Sequence, residues 1–142
     1  MFKEPHSVTV SRDEIRFNLL KDGEEYFSKE DKVFETFIQS GEELLLEPYI
    51  YDVYMDATHL NPKARRKTLN SFKNLKEYNI GCVYFDVPIE ICIERNSKRE
   101  GRALVPESVI YNMSKTYIKP TEREHFDKIL KIDKDGNEEV II

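Results

Sequence analysis

Asp56 closes a short apolar run, Val53-Tyr54-Met55, and a polar turn follows before Asn61-Pro62 opens a basic stretch with Lys63, Arg65 and Arg66. A carboxylate delivered in this way stands at the carboxyl end of a strand, where α/β proteins bind their ligands. Asp13 is placed similarly. Val8-Thr9-Val10 reads as a strand, Ser11 as a helix start, and Asp13 falls in the first helical turn. An acid there can accept the proton of an attacking hydroxyl, and it can equally complement the positive end of the helix dipole. Arg16, one turn on, shares its face and is either a ligand contact or an i,i+3 partner of Asp13. Arg95 and Arg99 lie four residues apart towards the end of another helical segment, with Arg102 just beyond. Planar guanidinium donors suit phosphate oxygens on which charge develops, although arginines near a helix C-terminus also complement its dipole. Thr58 and Asn61 read as turn-shaping and capping residues.

Strands and helices alternate around these groups. Ser28 precedes Lys29-Glu30-Asp31 as in a capping box, and Val33, Phe34, Phe37 and Ile38 recur at helical spacing to about Leu46, with Gly41 weakening the interior. Asp52 to Met55 and Cys82 to Phe85 are continuous apolar strands. Asn61 as N-cap with Pro62 at the first helical position starts a helix whose apolar face is Leu69, Phe72 and Leu75. Pro88 and Pro106 open two more helices. Phe126 to Ile132 reads as a strand, and Lys134 to Asn137 as the turn of a hairpin ending in Val140-Ile141-Ile142. Inner strands that are apolar without alternation indicate a parallel sheet covered on both faces.

At 142 residues, 39% hydrophobic and 35% charged, the chain has the size and composition of one soluble globular domain. Its apolar runs are far short of a membrane span, and Met-Phe-Lys-Glu-Pro-His lacks the apolar core of a secretory signal. Cys82 and Cys92 stand in apolar contexts without C-x-x-C spacing, so reduced thiols and a cytoplasmic location are expected. A net charge of −5 argues against a general nucleic-acid coating protein. Basic residues nevertheless gather at Lys63, Arg65, Arg66 and Lys67 and from Arg95 to Arg102, which suits a small or terminal phosphate ligand. His6, His59 and His125 have no ligand spacing for zinc. The tyrosines and phenylalanines are scattered through apolar positions and read as core rather than as a base-stacking platform.

Four strings in order, Val10-Ser11-Arg12-Asp13-Glu14-Ile15-Arg16, Asp56-Ala57-Thr58-His59-Leu60-Asn61-Pro62, Phe85-Asp86-Val87-Pro88 and Glu94-Arg95-Asn96-Ser97-Lys98-Arg99 before Val105-Pro106, resemble the 5′-kinase domain of phage-type polynucleotide kinases and their P-loop relatives. The resemblance spans nearly the whole chain. It implies one α/β domain over residues 1–142, a P-loop kinase-like three-layer sandwich with a mostly parallel sheet and a lid at residues 99–106. It implies ATP and Mg2+ as cofactors, and Asp13 as the general base. Arg16 would steady the substrate phosphate, Asp56 would serve either metal or acceptor, and Arg95, Arg99 and Arg102 would contact the nucleotide phosphates.

In that family a strand, a G-x-x-x-x-G-K-[ST] loop and a helix precede the position of Val8. Here Gly23, Gly41, Gly81, Gly101 and Gly136 bracket no such loop. Phosphoryl transfer needs those backbone amides, the lysine and the hydroxyl, so these residues alone are expected to bind ATP weakly and not to turn it over. Two further readings stay open. The chain is a non-catalytic remnant that binds a nucleic-acid end or a partner protein, or it belongs to a kinase of the same fold acting on a small hydroxyl metabolite. By the same resemblance the missing strand lies between those of Asp56 and of Cys82 to Phe85. Two inner strands should then have unpaired edges, to be met by re-pairing, self-association or a complementing chain.

Overall fold

The computed structural model describes residues 6–142; the residues before them, read above for a signal, and the side chain of Arg102 lie outside the description. The chain divides into two compact units, residues 1–58 with 68–73 and residues 59–67 with 74–142. Each is built on its own small sheet.

In the first unit β1 (Ser7–Ser11) and β2 (Asp52–Asp56) pair in parallel, with Ser7 opposite Asp52 and Ser11 opposite Asp56. A parallel pair requires a long crossover, and α1 (Arg12–Leu19) and α2 (Glu30–Leu45) lie within it. Val33, Phe37, Ile38 and Gly41 form the buried stripe of α2. Val10, Phe37 and Ile38 make the core, with Ile15, Phe34, Leu44, Val53, Met55 and Phe72 packed around them. Gly41 does more here than weaken a helix. A Cβ at this position would lie 2.8 Å from the Met55 sulfur and 2.8 Å from Phe72 Cζ, so close packing of α2 requires the absence of a side chain. The capping box expected at Ser28 does not form. The Ser28 hydroxyl donates to the Glu25 carbonyl at 2.7 Å, and α2 starts after Lys29 without a side-chain cap.

In the second unit β3 (Gly81–Asp86) pairs in parallel with β4 (Lys128–Asp133), and β4 pairs antiparallel with β5 (Glu138–Val140). The expected hairpin is present. Its turn is held by the Asp133 carboxylate, which accepts the N–H groups of Asp135 and Asn137, each at 2.9 Å. These bonds, those from Asn137 first, keep Asp133 below the usual carboxylate range. Ile129 and Ile132 are fully buried, and α4 (Ile89–Ser97) packs with α5 (Glu107–Thr116). The fifth helix, α3 (Pro62–Ser71), begins as the sequence predicts, with Asn61 Oδ1 accepting the Ala64 N–H at 2.9 Å. It ends before Phe72 and Leu75, which therefore do not belong to its apolar face.

The α/β class is as expected, but a single three-layer sandwich is not what these strands form. They make one two-stranded parallel sheet and one three-stranded mixed sheet. Among the described residues β2 pairs only with β1, and β3 only with β4 and on one edge, which is the arrangement argued above for the two inner strands. The expectation that both strands are covered on each face is corrected. Residues 53–55 and 82–84 are half-buried and Phe85 is 58% exposed, because a strand without a second neighbour loses part of the packing that would cover it.

Candidate active site

Parallel pairing decides which carboxylates meet. Ser11 and Asp56 are register partners at the carboxyl ends of β1 and β2, and α1 begins one residue after Ser11. The Ser11 hydroxyl caps that helix by accepting the Glu14 N–H at 3.2 Å, a bond worth about 1 kcal/mol. Asp13 and Asp56 thus emerge at the same end of the sheet. Burial against the protein raises the Asp56 carboxyl above the ordinary carboxylate range, and the negative charges of Asp13 and Glu14 raise it further.

A raised carboxyl is one whose ionised form opposes folding. Asp56→Asn should therefore increase Tm at pH 7, and the gain should disappear below about pH 4, where Asp56 is neutral in both folded and unfolded chains. Thermal melts across that range check this. Equal Tm at pH 7, or a gain that grows in acid, would contradict it.

Asp13 is fixed on one side and open on the other. Its Oδ1 accepts from Arg16 Nη1 and from the Tyr26 hydroxyl at 3.1 Å, while its side chain remains 66% exposed. Arg16 itself is buried, and Glu30 grips it bidentately, with Nε–Oε2 2.7 Å and Nη2–Oε1 2.6 Å. Its Nη1 also donates to the Tyr26 hydroxyl at 3.0 Å. The guanidinium lies over the Tyr26 ring, 4.7 Å from its centre. The hydrogen bonds that Arg16 donates to Glu30 raise the pKa of Arg16 and lower that of Glu30. Of the two sequence readings of Arg16, the structure displays the intramolecular one: every guanidinium nitrogen has a protein partner, and the residue orients Asp13. Burial, followed by the charge of Asp13, raises the Tyr26 hydroxyl, so it remains a donor near neutral pH. Arg12 completes the cluster with a 3.3 Å contact to Glu30. Neither Tyr26 nor Glu30 was legible as a site residue, because their contacts with Asp13 and Arg16 cross a loop that local periodicity does not describe.

The arginines of the expected lid belong to the second unit. Arg95 lies in the last turn of α4 and donates through Nη2 to the Lys134 carbonyl at 2.8 Å. Arg99 is past the helix end rather than on the same helical face. It is exposed, and its contact with the Ala103 carbonyl at 3.5 Å is at the limit for a hydrogen bond. Arg102 lies within the 3₁₀ turn Gly101–Ala103, but its side chain is outside the described residues. Asn96, not singled out from the sequence, closes this loop. Its buried amide donates to the Val105 carbonyl at 2.7 Å and accepts the Val105 N–H at 3.1 Å.

Arg65, counted above within a basic cluster suited to a phosphate ligand, is instead 5% exposed and paired with Glu124. The aromatic residues also depart from expectation. Phe27, Tyr49 and Tyr51 are exposed rather than core. Cys82 and Cys92 are free thiols, and burial pushes Cys82 up to about 11.

Parallel strands that bring carboxylates to one sheet end, followed by a helix start, are in keeping with a nucleotide-binding P-loop kinase-like domain, the class to which the family match assigns the chain. Residues 1–120 match the model of the AAA domain family, and the chain belongs to that family. Neither a curated protein nor a solved structure matches it. Domains of this type generally bind nucleotide with Mg2+. Among the described residues no trio of His, Cys, Asp or Glu is arranged to hold a metal ion. Kinase sites usually hold Mg2+ with one or two carboxylates and the nucleotide phosphates, a role the Asp56 carboxylate fits. No helix of the described residues is long and apolar enough to cross a membrane.

Proposed function

We propose that this chain serves ATP-dependent phosphoryl transfer to the 5′-hydroxyl of a nucleic acid. The observation that carries the reading is the Asp13 carboxylate, oriented by Arg16 and Tyr26 yet open to solvent on its remaining side. That is what a base accepting a proton from an entering hydroxyl requires: one fixed acceptor at the nucleophile. Arg16 is a positioning residue in this scheme. Asp56, held with Asp13 and Glu14 in a locally negative field, would serve either Mg2+ or the acceptor. Mg2+ bound with ATP neutralises charge on the transferring group. Arg99, with Arg95 and Arg102, supplies cationic donors to the nucleotide phosphates. The acceptor class follows from the four sequence strings, and an acidic chain with local basic groups suits a terminal rather than a coating interaction.

No G-x-x-x-x-G-K-[ST] string occurs within these 142 residues, and this favours a second reading, a module that binds a nucleic-acid end without turning over ATP. The unpaired edges of β2 and β3 are suited to association with another chain or a complementing strand.

Incubation with γ-labelled ATP and a panel of hydroxyl acceptors tests the proposal. The 142-residue chain alone should transfer no label and should not reach micromolar ATP affinity. Joined behind a strand–phosphate loop–helix unit, it should label 5′-hydroxyl oligonucleotides in preference to nucleosides and sugars. Labelling of a sugar or nucleoside instead would replace the acceptor, and turnover by the chain alone would overturn the role given to the loop.

A further inference from the structure

Phe27 is a widely exposed aromatic side chain whose ring neighbours, Tyr26 and Arg16, both hold the candidate base Asp13. It is 55% exposed, yet it is not loose. Its ring meets that of Tyr26 edge-on, with centres 4.6 Å apart and planes at 83°. The Arg16 guanidinium lies 5.7 Å from its centre. Arg16 is itself buried and donates two hydrogen bonds to the half-buried Glu30, so the support is a held guanidinium. The Tyr26 hydroxyl that completes this brace is the one donating to Asp13 at 3.1 Å. A rigid, solvent-facing aromatic surface therefore stands one side chain away from the carboxylate assigned to the nucleophile.

An exposed phenylalanine is costly to leave in water, and singly exposed apolar residues are common. Phe27 differs in that its ring lies against Tyr26 and near Arg16, the two side chains that hold the Asp13 carboxylate. We propose that Phe27 is a stacking shelf for an unpaired nucleobase at or next to the 5′ end of the acceptor strand. The inference rests on the nucleic-acid reading above and deepens it. A base offers a π-face of the right size whatever its identity, and such stacking tolerates sequence. The span from Asp13 through Tyr26 to Phe27 is within reach of the first one or two nucleotides of a strand. Phe27 and Lys32 also line one open pocket, and Lys32, 61% exposed, is engaged only in a 3.9 Å surface ion pair with Glu35, a weak contact that a phosphodiester can displace. Glu30 and Asp31 line the same pocket beside Lys29 and Lys32, so charge alone would not favour a polyanion there. The stack must supply the preference, and single strands should bind better than blunt duplexes whose terminal bases stay paired.

The test is fluorescence anisotropy with the full 142-residue chain and a labelled 5′-hydroxyl single-stranded oligonucleotide, run beside the same oligonucleotide with its first two bases removed as abasic sites. Phe27→Ala should weaken binding of the normal oligonucleotide about 5- to 100-fold, the range of a single base–aromatic stack. Phe27→Trp should restore it, and Phe27→Leu, which keeps apolar bulk, should not. The abasic oligonucleotide should bind parent and Phe27→Ala equally, because without its base there is no stack left for the substitution to remove. If the parent binds and Phe27→Ala binds as tightly, or if the two losses simply add, the shelf is wrong while the acceptor reading stands. If the parent fails to bind the oligonucleotide at all, the nucleic-acid reading falls and the shelf with it.

Discussion

Replacing Glu124 with alanine will lower the unfolding free energy by about 3–5 kcal/mol, the loss expected when one partner of a buried ion pair is removed. Arg65 and Glu124 are 5% and 11% exposed at their side chains. They meet in a fork, Nε–Oε1 2.8 Å and Nη2–Oε2 2.9 Å. Arg65 also donates to the carbonyls of His59 at 2.8 Å and Ile118 at 2.9 Å. One side chain thus ties the start of α3 to the segments after α5 and before β4. Without the carboxylate, a guanidinium would stay buried against carbonyls that cannot neutralise it. Set against about 5–15 kcal/mol for a whole domain, the loss is large.

Urea denaturation of Glu124→Ala measures it, and the double variant Arg65→Met/Glu124→Met should lose less than the two single variants combined. The pH dependence has a definite sign. The Arg65 guanidinium holds Glu124 below the usual carboxylate range, so its stabilisation is present above the unfolded value, about 4.3. It is lost as pH falls through the lower folded value. Glu124→Ala should lack that component of acid destabilisation. A variant within about 1 kcal/mol of the parent at pH 7 would show the pair to be dispensable.

In the loop-bearing form described under the proposed function, Asp13→Ala should reduce turnover by about 10²- to 10⁴-fold with little change in nucleotide affinity, because it removes the acceptor of the hydroxyl proton. Asp13→Asn is the sharper variant. Its amide oxygen can still accept from Arg16 and Tyr26, so the surrounding cluster persists while basicity is lost. Arg99→Ala should slow transfer by on the order of 10²-fold through lost stabilisation of phosphate charge. Single-turnover kinetics with ATP affinity measured separately distinguish these effects. If Asp13→Asn turned over like the parent, Asp13 would be no more than a first-turn acid that complements the α1 dipole, and the site would have to be sought elsewhere.

Local rules placed the elements well wherever neighbours along the chain carry the physics. Ser11 ahead of Asp13 and Glu14, Asn61-Pro62, and the Asp133–Asn137 turn each satisfy backbone groups within a few residues, so their spacing alone located α1, α3 and the β4–β5 hairpin. The same rules failed at Ser28, where a turn claimed the hydroxyl, and at Gly41, where propensity ignores what lies across the helix. They also failed at the carboxyl end of α4, which stops before Arg99.

Composition and motif order were enough to identify an α/β chain of the kinase-like family and to single out Asp13, Asp56 and the arginines from Arg95 onwards. What each group touches was decided by contacts between residues distant in sequence. Arg16 and Arg65 are both basic residues on helices, indistinguishable by type or periodicity from solvated ones. Burial beside Glu30 and Glu124 turned one into a positioning group and the other into an anchor. Phe27 passed for core until its exposure was seen. Charge and hydrophobicity are properties of a residue and can be read from a sequence, whereas desolvation and pairing belong to its surroundings, which exist only once the chain has folded.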